Sequence, residues 1–337
     1  MQLEKPSKDT RKGKISIAMA VFNGENYLEK QLLSLLNQSV LPDELVVCED
    51  CSSDSSLNIL QSFAEKAPFF VKIIQNEKNQ GYVYTFSKAL ESTTGDLIFL
   101  CDQDDFWFEN KIQEVVAFAQ ENSKFSLYLN DAELADGNLV AKGLTTFGQM
   151  RNAEIPVETL VLGCCMALRK ELLEFCIPIP SNFSAHDVWI DEIAALSNSK
   201  IVIDKPLQYY RRHQKNESTH VLYSFKKISK WDYRFDYFKK LVWIRNISRL
   251  SSRLSDQQCL IKKLRELKEF FPLKYQSILD SKISRYSKEI MILKKRLELL
   301  NNSFFPRLKG SLQLLRKGYG GSFYGIGSFF KDILKVH

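Results

Sequence analysis

Residues 96–105 have the sequence Asp-Leu-Ile-Phe-Leu-Cys-Asp-Gln-Asp-Asp. The apolar part predicts a buried β-strand over Asp96–Cys101. Three aspartates follow the strand directly: Asp102, Asp104 and Asp105. Their mutual repulsion is costly unless a cation offsets it, so a divalent metal is one interpretation. The other is the solvated first turn of a helix over Phe106–Phe118, since Asp favours helix N-termini, and the spacing alone favours neither.

The sequence before this strand alternates short β-branched runs with amphipathic helical patterns. Strands are predicted at Ile15–Val21, Glu44–Glu49 and Val71–Gln75, and helices at Tyr27–Asn37, Ser55–Lys66 and Val83–Ser92. This alternation is typical of βαβ units around a mostly parallel sheet in an α/β fold. Ligands of such sheets bind at the carboxyl ends of the strands. The residues that follow the strands are therefore candidate ligand contacts: Asn23, Glu49, Asp50, Asn76, Asn79 and Gly81.

Beyond Ser126 the pattern is less regular. Strands are predicted at Leu127–Leu129, Gly163–Leu168 and Ile201–Ile203, a turn-rich segment at Asp131–Gly143, and helices from Lys170 and after Ala185. Residues 221–337 combine heptad-like apolar spacing with dense Lys and Arg, which predicts a helical appendage. The chain is thus predicted to comprise a polar N-terminal extension (1–13), a catalytic domain (14–220) and a basic, aromatic-rich helical region (221–337).

Charge separates the last two regions. Residues 1–220 carry a net charge of −10 and residues 221–337 a net charge of +17, within an overall charge of +7. The basic region is predicted to mediate either oligomerisation or contact with a membrane surface. Phe323–Lys331 is its best candidate for membrane contact, because aromatic residues with flanking cations suit anionic lipid. Nucleic acid is a poorer partner, because no recognised binding module accompanies the charge.

The cysteines and the N-terminus indicate the compartment. The chain has seven cysteines, an odd number, and most lie inside apolar runs, which predicts buried reduced thiols. Cys48 and Cys51 form a C-x-x-C pair, but no second pair or histidine cluster completes a four-ligand zinc site. The N-terminus lacks the apolar core of a secretory signal, and no stretch reaches the roughly 18 apolar residues of a membrane span. We therefore expect a cytoplasmic protein, either soluble or peripheral on the inner face of the plasma membrane.

Two later segments carry further candidate residues. Residues 186–192 (His-Asp-Val-Trp-Ile-Asp-Glu) place Asp187 and Asp191 one helical turn apart. An Asp near a cleft can serve as a general base, and an ordinary helix cap is the alternative. Residues 209–216 (Tyr-Tyr-Arg-Arg-His-Gln-Lys-Asn) follow a predicted turn at Pro206 and concentrate donors that suit phosphate oxygens. The alternative is that residues 209–216 form a solvated surface loop.

Taken in order, the motifs over residues 14–220 resemble the inverting family 2 of glycosyltransferases, which has the GT-A fold, and within it the bacterial rhamnosyltransferase-like branch. The matching segments are Ala20–Leu28, Leu36–Ser39, Glu49–Asp54, Asn79–Gly81 with Ala89-Leu90, Thr94–Asp96, Asp102–Trp107 with Lys111, Gly163–Met166, His186–Trp189 and Tyr210–Asn216. In the third segment Cys51 replaces the family's usual Gly, which leaves the role of Glu49 open.

The resemblance implies a role for each matched residue. Asp187 would deprotonate the acceptor hydroxyl, and Asp104, with Asp102 and His213 as further candidates, would bind Mg²⁺ or Mn²⁺. Asp105 is left open between metal ligand and helix cap. The donor would be held by Ala20, Phe22, Asn23, Asp50, Asn79, Gly81, Asp102, Gln103, Arg211 and His213. The acceptor side would be formed by Gly163, Cys164 and Trp189.

The implied function is metal-dependent, inverting sugar transfer. The sugar, rhamnose being one candidate, would move from a nucleoside-diphosphate donor to a glycan or lipid-linked acceptor in bacterial surface polysaccharide synthesis. The alternatives are a hexosyl or N-acetylhexosaminyl transferase of the same fold, and a non-catalytic family member that binds a membrane or a partner. Retention of the acidic motif residues argues against the last. The sequence leaves open the sugar, the base, the acceptor, the linkage and whether the chain forms a homo-oligomer.

Overall fold

The computed structural model describes residues 13–214, 216, 218, 220–243, 246–270, 273–317, 328–329 and 332–333. The predicted N-terminal extension lies outside this range except for Gly13, as does most of the segment Phe323–Lys331. The chain forms two compact units. Unit 1 contains the chain up to Ile179 together with His186–Lys227, and unit 2 contains Pro180–Ala185 together with the chain from Ile228 onward.

Unit 1 is built on one nine-stranded sheet. Its strands are β1 (Ile15–Val21), β2 (Glu44–Glu49), β3 (Phe70–Gln75), β4 (Leu97–Asp102), β5 (Phe106–Trp107), β6 (Leu127–Asp136), β7 (Ala141–Thr145), β8 (Met166–Arg169) and β9 (Lys200–Arg212). The order is β3-β2-β1-β4-β8-β6-β9-β5, with β7 paired to β6. The β3-β2-β1-β4 part is parallel, and β8 joins it antiparallel to both β4 and β6.

The helices of unit 1 connect these strands. They are α1 (Leu28–Leu36), α2 (Ser56–Ala64), α3 (Tyr82–Glu91), α4 (Lys111–Glu121), α5 (Thr146–Asn152), α6 (Lys170–Cys176) and α7 (His186–Ala194). Each of the first three follows a strand in a βα unit, as the alternation of apolar periods predicts. The predicted mixed, mostly parallel α/β fold is confirmed.

The central strands are apolar throughout because they lie inside the hydrophobic core. β1 and β2 are covered on both faces, so the consecutive residues Ile17 and Ala18 of β1 and their partners Leu45 and Val46 of β2 are all fully buried. Helices on both faces of a parallel sheet produce continuous hydrophobic strands rather than alternating ones. The register then places the ends of these strands side by side, because Ala20 of β1 is the partner of Cys48 on β2 and of Asp102 on β4.

The predicted helix over Phe106–Phe118 is wrong in its first part. Phe106 and Trp107 form the short strand β5, which pairs antiparallel with Tyr209 and Gln208 of β9, and the helix begins at Lys111. Trp107 is buried, and its ring lies 5.7 Å from that of Phe99. Burial of this large ring against the sheet favours the extended backbone over a solvated helix start.

The predicted loop over residues 209–216 is also wrong in its first half. β9 continues to Arg212, with Tyr209–Arg212 paired to Glu133–Asp136 of β6. Pro206 is not in a turn but within β9, where the register between β6 and β9 shifts. A bulge accepts proline because the missing N–H is not needed for the ladder.

Two smaller predictions are corrected in the same region. The segment Asp131–Gly143, predicted as turn-rich, contains most of β6 and the start of β7, which pair antiparallel. Residues Gly163–Cys165, predicted as part of a strand, form a 3₁₀ turn, and β8 begins only at Met166.

Unit 2 is helical, as predicted for the C-terminal region. Its helices are α8 (Lys230–Trp243), α9 (Asn246–Lys268), α10 (Leu273–Leu300) and α11 (Phe304–Lys317). Leu250 of α9 packs with Leu293 and Leu300 of α10 in a small apolar core. Among the described residues, none of the helices combines the length and apolar composition that a bilayer span requires.

Two other segments belong to unit 2 by their contacts. In Pro180–Ala185, the Asn182 amide donates to Ser255 Oγ at 3.0 Å, and the Ser184 N–H donates to Asp256 Oδ1 at 2.8 Å, both on α9. Near the C-terminus, the Arg296 guanidinium of α10 forms two hydrogen bonds, 2.7 and 2.9 Å long, with the Asp332 carboxylate. Both side chains of this pair are buried, and a bidentate geometry is what a buried ion pair needs.

The loop after β2 contains a residue with unfavourable backbone geometry. Cys51 has φ +60°, the left-handed region in which a Cβ costs about 1–2 kcal/mol. This is the position at which the family motif has Gly. We expect Cys51→Gly to raise the free energy of unfolding by about 1 kcal/mol, because removal of the Cβ removes the strain.

The measurement is urea denaturation of the purified protein. Cys51→Ala is the matched control, since it removes the thiol but keeps the Cβ, and its stability should stay close to that of the parent. Equal stability of the Gly and Ala variants would contradict the explanation from strain.

Candidate active site

An acidic cluster lies where β4 ends. Ligand atoms of Asp102, Asp105 and Cys164 all lie within 4.8 Å of one another. Asp102 is the last residue of β4, Asp105 precedes β5, and Cys164 belongs to the 3₁₀ turn before β8. The antiparallel pairing of β8 with β4 is what brings that turn to the acidic strand end.

Asp105 is fully buried and held by β9. Its Oδ2 accepts a hydrogen bond from the Gln208 amide at 2.8 Å, and its Oδ1 accepts one from the Arg211 backbone N–H at 3.2 Å. Burial raises the pKa of the Asp105 carboxyl to about 7, with a further contribution from the charge of Asp104. Asp105 therefore links the acidic segment to β9 and does not cap a helix.

Lys111 is the buried cation beneath this cluster. Its ammonium donates to the Cys164 carbonyl at 3.0 Å and to the Gln208 side-chain oxygen, and it lies 4.0 Å from the centre of the Trp107 ring. Desolvation lowers the pKa of Lys111, while nearby cysteines and Asp105 act in the opposite direction. The positive charge of this ammonium partly offsets the negative charge of the nearby carboxylates.

The residues of the cluster fit a hard divalent cation. The pKa of the Asp102 carboxyl is raised well above its usual value, mainly by burial. The negative charges of Asp105, Asp104 and Asp187 raise it further. Burial likewise raises the pKa of the Cys164 thiol, so this group stays protonated and is a poor ligand. Carboxylate oxygens are the ligands that Mg²⁺ and Mn²⁺ prefer, and a cation bound between Asp102 and Asp105 would offset their repulsion.

Asp104 points to a different set of partners. Its Oδ2 lies 2.8 Å from His213 Nε2 and 3.2 Å from the Asn216 side-chain nitrogen. The His213 ring stacks on Tyr27, with ring centres 4.2 Å apart. The backbone N–H of His213 donates a hydrogen bond to Asn216 Oδ1. The predicted phosphate-binding segment is thus in contact with the acidic segment through Asp104. Metal ligation by Asp104 and His213 stays a prediction.

Arg211 places a buried positive charge beside these carboxylates. The side chain is only 1% exposed, and its guanidinium lies 5.1 Å from the Tyr27 ring centre. Its Nε and one terminal nitrogen have no hydrogen-bond partner among the described residues. Buried N–H groups of a charged side chain cost free energy unless an acceptor satisfies them. The unsatisfied groups are therefore suited to an anionic ligand.

Asp50 organises the loop that follows β3. Its Oδ1 accepts hydrogen bonds from the Asn76 amide at 2.7 Å and from the Gln80 N–H at 2.8 Å, while its Oδ2 accepts one from the Gly81 N–H at 2.8 Å. Gly81 has φ +85°, which favours glycine, and the Asn79 side chain also accepts from its N–H. The structure thus brings together Asp50, Asn79 and Gly81, three of the predicted donor-binding residues.

The predicted donor residues after β1 are held against the acidic segment. Gln103 makes a reciprocal pair with Phe22, accepting from its N–H at 2.9 Å and donating to its carbonyl at 3.0 Å. Asn23 has φ +47°, and its side-chain oxygen accepts from the Ser53 N–H. Glu49 is fully buried and accepts from the Ser52 N–H, so this side chain holds the turn after β2.

Asp187 lies at the start of α7 and contacts the turn that contains Cys164. Its Oδ2 accepts a hydrogen bond from the Gly163 N–H at 3.2 Å. A Cβ on Gly163 would lie 2.7 Å from the His186 ring, so glycine is required for this close approach. Because Gly163 and Cys164 are consecutive, the predicted base and the acidic cluster share one turn.

The other two residues predicted to form the acceptor side, Trp189 and Cys164, are buried. Trp189 is 1% exposed, and its indole N–H donates to the Cys176 carbonyl at 2.7 Å. Cys164 has no exposed surface. The described geometry therefore places both beneath the site, and their contact with an acceptor stays a prediction.

A comparison with known protein families identifies the family of this sequence. Residues 16–176 match the model of glycosyl transferase family 2. The matched segment, residues 16–176, belongs to this family. The family 2 match includes the acidic cluster and the turn at Gly163, and it ends before Asp187, Arg211 and His213.

The relatives of this chain include two transferases with named sugar donors. The chain is 28% identical over 218 residues to the dTDP-rhamnosyl transferase RfbG of Shigella flexneri, covering 59% of this chain and 73% of that one. It is also 28% identical over 128 residues to the UDP-Glc:alpha-D-GlcNAc-diphosphoundecaprenol beta-1,3-glucosyltransferase WfgD of Escherichia coli, covering 38% and 49%.

Solved structures show the same fold. The S. aureus TarS fragment 1–349 in complex with UDP-GlcNAc superposes with a TM-score of 0.56 at 17% identity, covering 95% of this chain and 81% of that chain. The chain has the GT-A fold, as the resemblance implied.

Three side chains that the structure places in the site have no site role assigned from the sequence. Tyr27 contacts both His213 and Arg211, although its motif had suggested only a turn. Gln208 holds Asp105, and Lys111 lies beneath it. A signal for Lys111 exists in the sequence, because it precedes Val115 and Ala119 at intervals of four on the buried stripe of α4.

The raised pKa of Asp105 predicts a pH-dependent stability. In the absence of divalent cations the folded protein binds a proton at Asp105 more tightly than the unfolded chain, so the free energy of unfolding falls as the pH rises through about 7. We expect a loss of about 3 kcal/mol between pH 5 and pH 8. Urea denaturation of chelator-treated protein measures it.

Asp105→Asn is the matched variant and should flatten this dependence. Added Mg²⁺ or Mn²⁺ should stabilise the parent protein more at pH 8 than at pH 5, because the cation competes with the proton. An unchanged slope in the variant would show that other groups cause the pH dependence.

Proposed function

We propose that this chain is an inverting glycosyltransferase that moves a sugar from a nucleoside-diphosphate donor to a hydroxyl of a glycan or lipid-linked acceptor. The observation that supports it best is the shared turn at Gly163-Cys164. Through this turn Asp187 comes next to Asp102 and Asp105. A single displacement requires a general base beside a site that binds the diphosphate of the donor.

The proposed reaction begins at Asp187. Its carboxylate takes the proton of the acceptor hydroxyl, whose oxygen forms the new bond to the anomeric carbon of the sugar. The bond from that carbon to the diphosphate oxygen breaks, and its electron pair leaves with the nucleoside diphosphate. Attack from the face opposite the leaving group inverts the anomeric configuration.

The charge that develops on the leaving diphosphate needs positive partners. Arg211 offers two buried guanidinium nitrogens that have no acceptor among the described residues, and His213 lies beside Asp104. A divalent cation held by Asp102 and Asp105, with Asp104 as the further predicted ligand, would neutralise part of this charge as a Lewis acid. The stacking of His213 on Tyr27 would hold the segment in place.

Rhamnose is the proposed sugar, because the rhamnosyl transferase RfbG aligns over 59% of the chain, beyond the length of the family match. The second candidate is a hexosyl transferase, which the alignment with the glucosyltransferase WfgD supports. Thermal-shift measurements against a panel of dTDP- and UDP-sugars separate the two. Surface polysaccharide synthesis is the proposed setting in both cases.

The first functional prediction concerns the base. Asp187→Asn should lower kcat about a thousandfold, since the amide cannot take the proton, while the affinity for nucleoside diphosphate stays near that of the parent. Asp191→Asn is the matched control, because Asp191 lies one helical turn away and pairs with Lys200 at 2.6 Å. Sugar transfer assays and calorimetry measure the two effects, and full activity in Asp187→Asn would remove Asp187 from the mechanism.

The second functional prediction concerns the leaving group. Arg211→Ala should weaken the binding of a nucleoside diphosphate about 10- to 100-fold, because charge-assisted hydrogen bonds to the phosphates are lost. Arg151→Ala serves as control, since Arg151 is exposed and pairs with Asp204. The affinity for the free nucleoside should be unchanged in both variants. Equal losses for nucleoside and diphosphate would instead indicate a general disturbance of the site.

A further inference from the structure

Helix α11 of unit 2 packs through one face only. Ser311 and Leu314 are buried, as is Arg307, whose guanidinium donates to the carbonyls of Ile333 and Asn302. Gly310 lies so close to α10 that a Cβ there would lie 2.2 Å from a methyl group of Leu299. This face therefore fixes the orientation of the helix within the unit.

A second face of α11, adjacent to the packed one, is apolar and open to solvent. Phe305 is 79% exposed, and the other members of this face are exposed by 37–48%: Phe304, Leu312 and Leu315. Phe305 and Leu312 are seven residues apart, which places them on one line along the helix. Four large apolar side chains on one helix exceed the isolated exposed residues that are normal on protein surfaces.

The charge of α11 indicates what covers this face. Besides the buried Arg307, the helix contains Lys309, Arg316 and Lys317, and none of its 14 residues is acidic. Lys309 is exposed and lies between Phe305 and Leu312 at helical spacing. A second copy of the chain would bring a face of the same charge against this one. An anionic partner with an apolar interior satisfies both the cations and the apolar side chains.

We propose that α11 is an interfacial helix that docks unit 2 on an anionic lipid bilayer. Phe304, Phe305, Leu312 and Leu315 enter the boundary between headgroups and acyl chains, while Lys309 contacts lipid phosphates. An amphipathic helix with this combination lies in the plane of the interface and does not cross the membrane. The sequence had favoured the segment Phe323–Lys331 for this role, and α11 precedes it in the chain.

Nucleic acid is a weaker explanation for the same surface. Its phosphates would satisfy Lys309, but its backbone offers no apolar environment to Leu312 and Leu315. Lipid binding goes beyond the proposed transfer reaction and does not depend on it, because none of the residues of α11 belongs to the candidate active site.

Co-sedimentation of the full chain with vesicles tests the proposal. We expect binding to phosphatidylglycerol vesicles, little binding to phosphatidylcholine vesicles, and weakening at high salt. Phe305→Ser and Lys309→Glu should each reduce the partition coefficient about tenfold. Hydrolysis of the nucleotide-sugar donor in solution should stay at the parental rate in both variants.

Two matched controls carry the same substitutions elsewhere in unit 2. Phe270 is 74% exposed but lies beside Glu266 and Glu269, so Phe270→Ser should change vesicle binding less than twofold. Lys288 is exposed on α10, and Lys288→Glu should act likewise. Thermal unfolding confirms that each variant is folded.

Three results would overturn the proposal. The first is that the intact chain does not bind anionic vesicles. The second is that the control variants lose as much vesicle binding as the α11 variants. The third is that Phe305→Ser loses self-association or RNA binding while its vesicle binding persists. Sedimentation velocity and a fluorescent RNA oligomer provide the last two readouts.

Discussion

The carboxylate of Asp105 is the constraint on which the site depends. A carboxylate without exposed surface is costly unless its oxygens are hydrogen-bonded. Here Gln208 and the backbone of Arg211 supply the donors, and both belong to β9. The end of β4 is therefore tied to a strand that comes a hundred residues later in the chain. Arg211 and His213 reach the acidic cluster because β9 is held at this point.

The first half of the fold could be predicted because its signals are local. Continuous apolar runs and helical periods mark β1 to β4 and α1 to α3, and parallel pairing then brings Asn23, Asp50 and Asp102 to one edge without further information. The second half depends on contacts between distant segments. β5 has only two residues and therefore no periodic pattern, and in β9 only Ile201–Ile203 was predicted, because the proline at the bulge interrupts the pattern.

The same distinction explains which residues of the candidate site could be predicted from the sequence. Asp102 and Asp187 stand in motifs whose residue types indicate their chemistry. Asp104 and Asp105 are neighbours of the same type, and only β9 distinguishes them, since one contacts His213 and the other Gln208. Lys111 has the charge of a surface residue and becomes a partner of the cluster only when α4 packs on the sheet. Choice of sugar and acceptor depends on side chains from several loops, which single motifs do not determine.

The segment Pro180–Ala185 has a consequence for how this protein can change over evolution. Its flanks, Ile179 and His186, belong to the sheet-based unit, yet its own hydrogen bonds are to α9. The chain thus passes from one unit to the other three times. A genetic exchange of the C-terminal half alone would leave Asn182 and Ser184 without their partners, directly before the helix that carries Asp187. We therefore expect the helical unit to be inherited together with unit 1 rather than as an interchangeable module.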